Sequence, residues 1–483
     1  MALILSHFIT LAFGASDRYP VIDVHVHLSG HPSTSKKERL AVDRDRAADI
    51  AVSHMDANHV RTSIVMPTPT TNARLDYRSL ITQAKRYPER LMVLGGGALL
   101  NPMIQHTVPQ QVTETQKRIF EARAESILRG GAIGFGEMAA LHFSFFQQHP
   151  FENAPPDHPL FLLLADIAAR HDVPIDLHHE IVLHEIPVPA KLRSRSKQNP
   201  RTVGPNVAAL ERLLAHNPGA RIILSHSNDS TGHRTAETIR GLLERHPNMY
   251  MSLNVLPKFL FVENLPLKGS GDIHPGWKKL IEDLPDRFLI GSDQFYAEST
   301  DSIDVAFACG SCTKKDTATA SLRWLKFLPP DVARKVAYEN AEQVFRLNDR
   351  RKVMAAIRSD PRAPGSAETA LGTSEQQFLR EAEIRKVITG NTLNFTAPLN
   401  GREHFVYFDE GGSVVVGFAD SPGKSVTKTW FINQKEMLCR TVGRHNANHC
   451  THVEARGDDD KLTLSNASVS YEVKILRGRQ LPK

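Results

Sequence analysis

Eight apolar runs of strand length recur along the first part of the chain: Tyr19–Val24, Thr62–Met66, Leu91–Gly97, Ala132–Glu137, Val173–Leu177, Arg221–Ser225, Met249–Leu253 and Arg287–Ile290. Segments of helix length separate them, with apolar residues three and four apart; Pro159–His171, Asn206–His216, Ala236–Arg245 and Asp331–Phe345 are examples. A strand that is apolar on both faces must be covered on both faces, and strands that alternate with helices pair in parallel. Eight such units predict an α/β fold, a closed (β/α)8 TIM barrel.

In such a barrel the mouth is made by the C-terminal strand ends and the loops after them. The first run leads into VIDVHVHL, where His25 and His27 are two apart and share a face. The fourth ends GAIGFGEM, with Glu137. The fifth ends VPIDLHHE, with His178 followed by His179 and Glu180. The sixth ends RIILSH, with His226, and the eighth ends RFLIGSD, with Asp293. Burying an unpaired ionisable group is expensive. Five strand ends that each carry a nitrogen or carboxylate donor therefore point to one convergent site.

Imidazole and carboxylate donors suit Zn²⁺, and also Mn²⁺, Fe²⁺ or Ni²⁺. The expected cofactor is a divalent metal, zinc first, as one or two ions held by His25, His27, Glu137, His178, His226 and Asp293. Such an ion brings the pKa of a bound water to about 7. Asp293 would accept the proton and pass it to the leaving group. His226 would hold a second ion or polarise the substrate carbonyl, and Glu137 would bridge two ions. Asp23 reads as structural and His179 as part of the core behind the site. Glu180 lies beside His178 where it could meet substrate, and His142 in AALHF reads as a loop histidine near the mouth.

The pattern of H-x-H on strand one, histidines on strands five and six and aspartate on strand eight resembles the amidohydrolase superfamily. Its amidohydrolase-related branch is the most similar, through IDVHVHL, VPIDLHHE, RIILSH, DRFLIGSD and the closing VAYENAEQVFRL, over Asp23 to Leu347. The resemblance implies a metal-dependent enzyme on a TIM barrel. The chain lacks the strand-four lysine of many two-metal members and offers Glu137, similar to carboxylate-bridged variants such as the TatD-like branch.

The remaining chain is read by composition. Residues 1–15, apolar from Ala2 to Phe13, resemble a signal peptide without the usual basic start, and predict export to the periplasm. Residues 16–350 form the barrel. Residues 351–374, rich in Pro, Gly, Ser, Ala and Thr, form a linker, and residues 375–483 a small, mostly antiparallel β domain, sandwich or barrel. No later stretch is long and apolar enough to span a membrane. Cys309 and Cys312 read as structural, and Cys439 and Cys450 are expected to form a disulfide. His445, His449 and His452 around Cys450 read as a loop cluster.

The net charge of +6 is scattered, so no nucleic-acid partner is expected. Lys191, Arg193, Arg195, Lys197 and Arg201 follow strand five, where they could draw an anionic substrate to the mouth. The expected partner is thus a small molecule, with a homo-oligomer allowed. The function read from the set is hydrolysis of a C–N or C–O bond in an amide, lactone or ester. The alternative is a metal-dependent decarboxylase of an aromatic or unsaturated carboxylic acid. Phosphodiester cleavage lacks its basic face, and a binding role for the β domain alone leaves the donor set without a use.

Overall fold

The computed structural model describes residues 19–28, 44–69, 77–145, 149–227, 230–255, 264–267, 272–296, 321–350, 381–396, 403–409, 411–423, 425–432, 438–442, 447–455, 461–465 and 470–482. The leader, the Cys309–Cys312 pair, the linker and His445 lie outside these residues. The chain divides into two units, Met1–Ala356 and Ile357–Lys483.

The first unit is built on parallel strands: β1 (Val21–His27), β2 (Val60–Val65), β3 (Leu91–Val93, resumed after Leu94 at Gly95–Gly96), β4 (Phe135–His142), β5 (Pro174–His179), β6 (Arg221–Leu224), β7 (Met249–Leu253) and β8 (Phe288–Ile290). They pair in the order β2-β1-β8-β7-β6-β5-β4. The first half of β3 pairs with β2, through Ser63 opposite Leu91, and its second half pairs with β4, through Gly95 opposite Phe135. Around Leu94 the backbone donates to both neighbours: Leu94 N–H to Val65 O (3.0 Å) and Gly95 N–H to Gly134 O (3.1 Å).

Helices fill the intervals: α1 (Arg44–Ala57), α2 (Tyr77–Arg86), α3 (Glu114–Arg129), α4 (Pro159–Arg170), α5 (Val207–His216), α6 (Ala236–Arg245) and α7 (Pro275–Asp283). Their starts follow local chemistry. Thr113 and Gln116 close a capping box on α3, Pro159 sits in the first turn of α4, and the Thr235 hydroxyl accepts from Thr238 N–H at α6. A large apolar cluster containing Phe120, Phe161 and Trp277 joins helices to strands. A second joins Ile22, Ile64, Leu94, Ile223 and Leu289, one from each of five strands, to Val344 and Phe345.

One strand boundary differs from the sequence reading in a way that matters. β4 does not stop at Glu137 but continues to His142, because Leu141 and His142 pair antiparallel with Asn153 and Glu152. His142 is therefore a strand residue and not a loop residue. After β5 the chain makes a short hairpin, Ile186–Pro187 with Thr202–Val203, and a helical turn, Ala190–Arg195; Lys191, Arg193 and Arg195 are exposed on the turn, and Lys197 and Arg201 are exposed after it.

The second unit is a helix, Glu381–Ile388, and eight strands: β9 (Thr392–Thr396), β10 (Glu403–Phe408), β11 (Ser413–Phe418), β12 (Ser425–Ile432), β13 (Leu438–Val442), β14 (Ala447–Ala455), β15 (Lys461–Ser465) and β16 (Ser470–Leu476). Each pairs antiparallel with the next, and β9 pairs with β16, so this sheet closes into a barrel. Alternation does the rest: Val414 and Val416 of β11 are buried two apart, with Leu393, Val453, Leu464 and Val473. Cys439 is disulfide-bonded, and its opposite number across the β13–β14 pair is Cys450. His449 and His452 lie on β14 and not in a loop. Among the described residues no helix is long and apolar enough to cross a membrane.

Candidate metal centre

The six residues singled out at the strand ends meet in one place. His25 Nε2 and His27 Nε2 are 3.2 Å apart. Glu137 Oε2 lies 3.8 Å from the first and 3.6 Å from the second, and Asp293 Oδ1 lies 3.8 and 3.5 Å from them. The other oxygen of Glu137, Oε1, lies 3.1 Å from His178 Nδ1 and 3.5 Å from His226 Nε2. His226 Nδ1 is 4.0 Å from Asp293 Oδ2. All six residues are buried except Asp293, whose side chain is 22% exposed.

The strands aim these groups by departing from regular alternation. In β1, Ile22 and Val24 pack in one cluster, while Val21 and Val26 pack in the other. The pairing of β1 with β2 shifts between Asp23 and Val26. Plain alternation would set Asp23 beside His25 and His27. The shift turns it away, and its carboxylate accepts from Ser292 N–H (2.9 Å), Ser292 Oγ–H (2.5 Å) and His25 N–H (3.3 Å). Asp23 thus ties β1 to the residue before Asp293, and burial lifts its pKa to about 6 against those bonds. Both Asp293 and His226 have left-handed backbones, with φ of 56° and 60°. Such conformations persist where neighbours hold them. Asp293 N–H donates to His25 O (2.9 Å) and His226 N–H to Ser252 Oγ (3.0 Å). Behind Glu137, a Cβ on Gly97 would fall 2.7 Å from the Glu137 carbonyl oxygen, so only glycine lets the two backbones approach.

A donor set fits a cation when its lone pairs have nowhere else to go. His25 Nδ1–H donates to Asp176 Oδ2 (3.2 Å), and His27 Nδ1–H donates to the Met66 carbonyl (2.9 Å). That turns the two Nε2 atoms toward each other, the arrangement of two metal-binding imidazoles oriented from behind. The charges agree. Burial works against charge on His25, yet the Asp176 carboxylate, with Glu137 and Asp293, lifts its pKa to about 10. Burial likewise opposes ionisation of Glu137, but hydrogen bonds from His178 and His226 hold it well below the usual carboxylate range. Asp293 is depressed against burial by the His226 charge and a hydrogen bond from His27. Burial, with His142 alongside, drives His178 well below its ordinary value. Glu137 and Asp293 held ionised, with a proton held on His25 beside them, call for positive charge at the centre, which a cation can supply in place of that proton.

Asp176 was not among the residues drawn from the sequence, where it sits inside the apolar run VPIDLHHE as a buried acid two residues before His178. It also accepts from Ser225 Oγ (2.6 Å). Arg234 is a second addition. Its buried guanidinium donates to the carbonyls of His179 (2.6 Å), Ser225 (2.9 Å) and His226. His179 faces this arginine and away from the site, where burial and the arginine's charge lower its pKa to about 3. Glu180 is 3.9 Å from His178 Nε2, and its carboxylate accepts from Ser230 Oγ–H (2.7 Å) and N–H (3.2 Å). His142 is buried with its ring 3.9 Å from that of His178.

Similar solved structures are distant. They include 4-oxalomesaconate hydratase from Rhodopseudomonas palustris, at 12% identity over 70% of this chain and 99% of that one, with a TM-score of 0.42. Dihydroorotase from Campylobacter jejuni is 11% identical over 68% and 83%, with a TM-score of 0.38. 5-Carboxyvanillate decarboxylase from Sphingomonas paucimobilis is 14% identical over 68% and 99%, with a TM-score of 0.36. Comparison with curated proteins finds no match. The model of the Amidohydrolase family matches residues 22–347, and the chain belongs to that family.

Proposed function

We propose that the chain is a metal-dependent hydrolase that cleaves a C–N or C–O bond of a small molecule, an amide, lactone or ester. The observation that carries this reading is Glu137, which turns one oxygen to the His25–His27 pair and the other to His178 and His226. A carboxylate so placed serves two cations at once. In this reading the eight parallel strands close into a (β/α)8 barrel, since β3 is both the strand after β2 and the strand before β4.

His25, His27, Asp293 and Glu137 would hold the first ion, zinc by donor type, and Glu137 with His178 the second. Bound divalent ions supply Lewis acidity and a water with a pKa of about 7. Asp293, ionised and partly exposed, accepts the proton of the attacking water and returns it to the leaving group. His226 lies between Glu137 and Asp293, where it polarises the scissile carbonyl. The exposed basic turn after β5 favours anionic substrates. The leader and the disulfide at Cys439 support export to the periplasm.

The test is elemental analysis of the purified protein beside a screen of amides, lactones, esters and aromatic carboxylates. Two ions per chain and hydrolysis of one of the first three classes are expected. One ion per chain with loss of CO₂ from a carboxylate would replace this reading with the decarboxylase.

A further inference from the structure

We infer that His142 is a ligand of the second cation, alongside Glu137 and His178, and that His226 is dispensable for holding that ion. The inference deepens the two-ion reading above and rests on it.

Glu137 and His142 are five residues apart on β4. Unbroken alternation would put them on opposite faces. The pairing of β4 with β5 slips twice, however: between Phe135 and Met138, where three steps on β4 match two on β5, and between Ala139 and Leu141, where two match one. Each extra residue is a β-bulge, which breaks the alternation and re-aims the side chains around it. His142 ends on the side of Glu137.

The result is a compact donor group. One ring nitrogen of His142, one of His178 and one oxygen of Glu137 all lie within 4.8 Å of one another. His226 falls in a different group, with His25 and Glu137. Its ring centroid is 4.3 Å from that of His25 and 5.1 Å from that of His178. His142 is 7% exposed, and its buried Nδ1 makes no hydrogen bond. A buried ring nitrogen without a partner is costly and rare, unless something binds there. The rings of His149 and Phe145 pack against His142, at 4.5 and 5.9 Å between centroids, and hold its orientation.

Cation titration of the chelated and reloaded full chain tests this, with Co²⁺ as the visible probe and elemental analysis as the count. The wild type should take two ions. His142→Phe keeps a ring against His149 and Phe145 but offers no lone pair. It should keep one ion and lose the second-ion affinity by at least about 100-fold, the upper end of what losing a merely supporting residue costs. His142→Asp restores an oxygen donor and should recover the second ion, and His226→Ala should still take two. Circular dichroism establishes that each variant is folded. A folded His142→Phe protein that takes two ions with wild-type affinity overturns the inference and leaves the two-ion reading standing. If His142→Phe does not fold, a His142→Asp protein that takes only one ion overturns it instead. A wild type that takes one ion removes both.

Discussion

In the first unit the strands run parallel and end in histidines and carboxylates. In the second they run antiparallel, and the polar residues found buried there, Asn391, Thr392 and Thr463, carry no ionisable group. Strand direction accounts for the contrast. Parallel strands bring all their C-terminal ends to one rim, so β1, β4, β5, β6 and β8 can each deliver a donor to the same point. Antiparallel neighbours send alternate ends to opposite rims. The second unit accordingly fills its interior with Leu393, Val414, Val453 and Val473 and has no such point. A polar centre in the one is bound to be expensive without its cation, and an apolar centre in the other needs none.

The contrast is most exposed at Glu137. Glu137→Gln should lose about one ion equivalent and lower turnover by about 10²–10⁴-fold, while His25 and His27 keep the first ion. Elemental analysis that finds the full metal load in this variant would break the bridging reading. Leu393→Ala should do the opposite: destabilise the second unit by about 2–5 kcal/mol and leave the metal content unchanged. Denaturant unfolding followed through Trp430, with metal counted in parallel, checks this. Loss of metal there would mean that the two units do not behave separately. Removing the disulfide by Cys439→Ser should cost about 3 kcal/mol in the same unit, and wild-type protein recovered from an oxidising compartment should gain the mass of two hydrogen atoms on reduction.

Smaller effects come from behind the ligands. Asp176→Asn should weaken first-ion affinity by about 10–100-fold, since His25 loses the carboxylate that orients it. A smaller deficit would mean that packing alone holds the ring. The last effect is pH-dependent and confined to the metal-free protein. The pKa of His25 is lifted from about 6.5 to about 10, so protonation stabilises the fold. That contribution is complete below about pH 6.5 and is lost as the pH rises through about 10. Stability of chelated protein should therefore fall across this window, and that of loaded protein should change less. Equal slopes in the two states would show that no cation takes the place of that proton.

The strand ends were legible because each joins an apolar run to an ionisable group, a local pattern. His25, His27, Glu137, His178, His226 and Asp293 were all found that way. Asp176 was hidden by the same rule, since it sits within a run and not at its end. His142 was legible as a histidine near the mouth but read as a loop residue, because its place on β4 depends on pairing. The bulges in β4 depend on how β4 meets β5, and no local period encodes a pairing register. The extension of β4 past Glu137 to His142 depends on Glu152–Asn153, which lies beyond the strand's own end. Arg234 carries no local signal, because its partners are carbonyls, which every residue has.

That arginine has a consequence for how the molecule can change. It reaches back from the residue before the α6 cap to Ser225 and His226, where its own loop began, and across to His179 at the end of β5. The loop is thereby closed at its base like a drawstring purse. The chain between Ser227 and His233 is tied at both ends, and where Ser230 keeps its bonds to Glu180 a change within it is not passed straight to the histidines on either side. A lineage carrying Arg234 can try new rims over an unchanged centre.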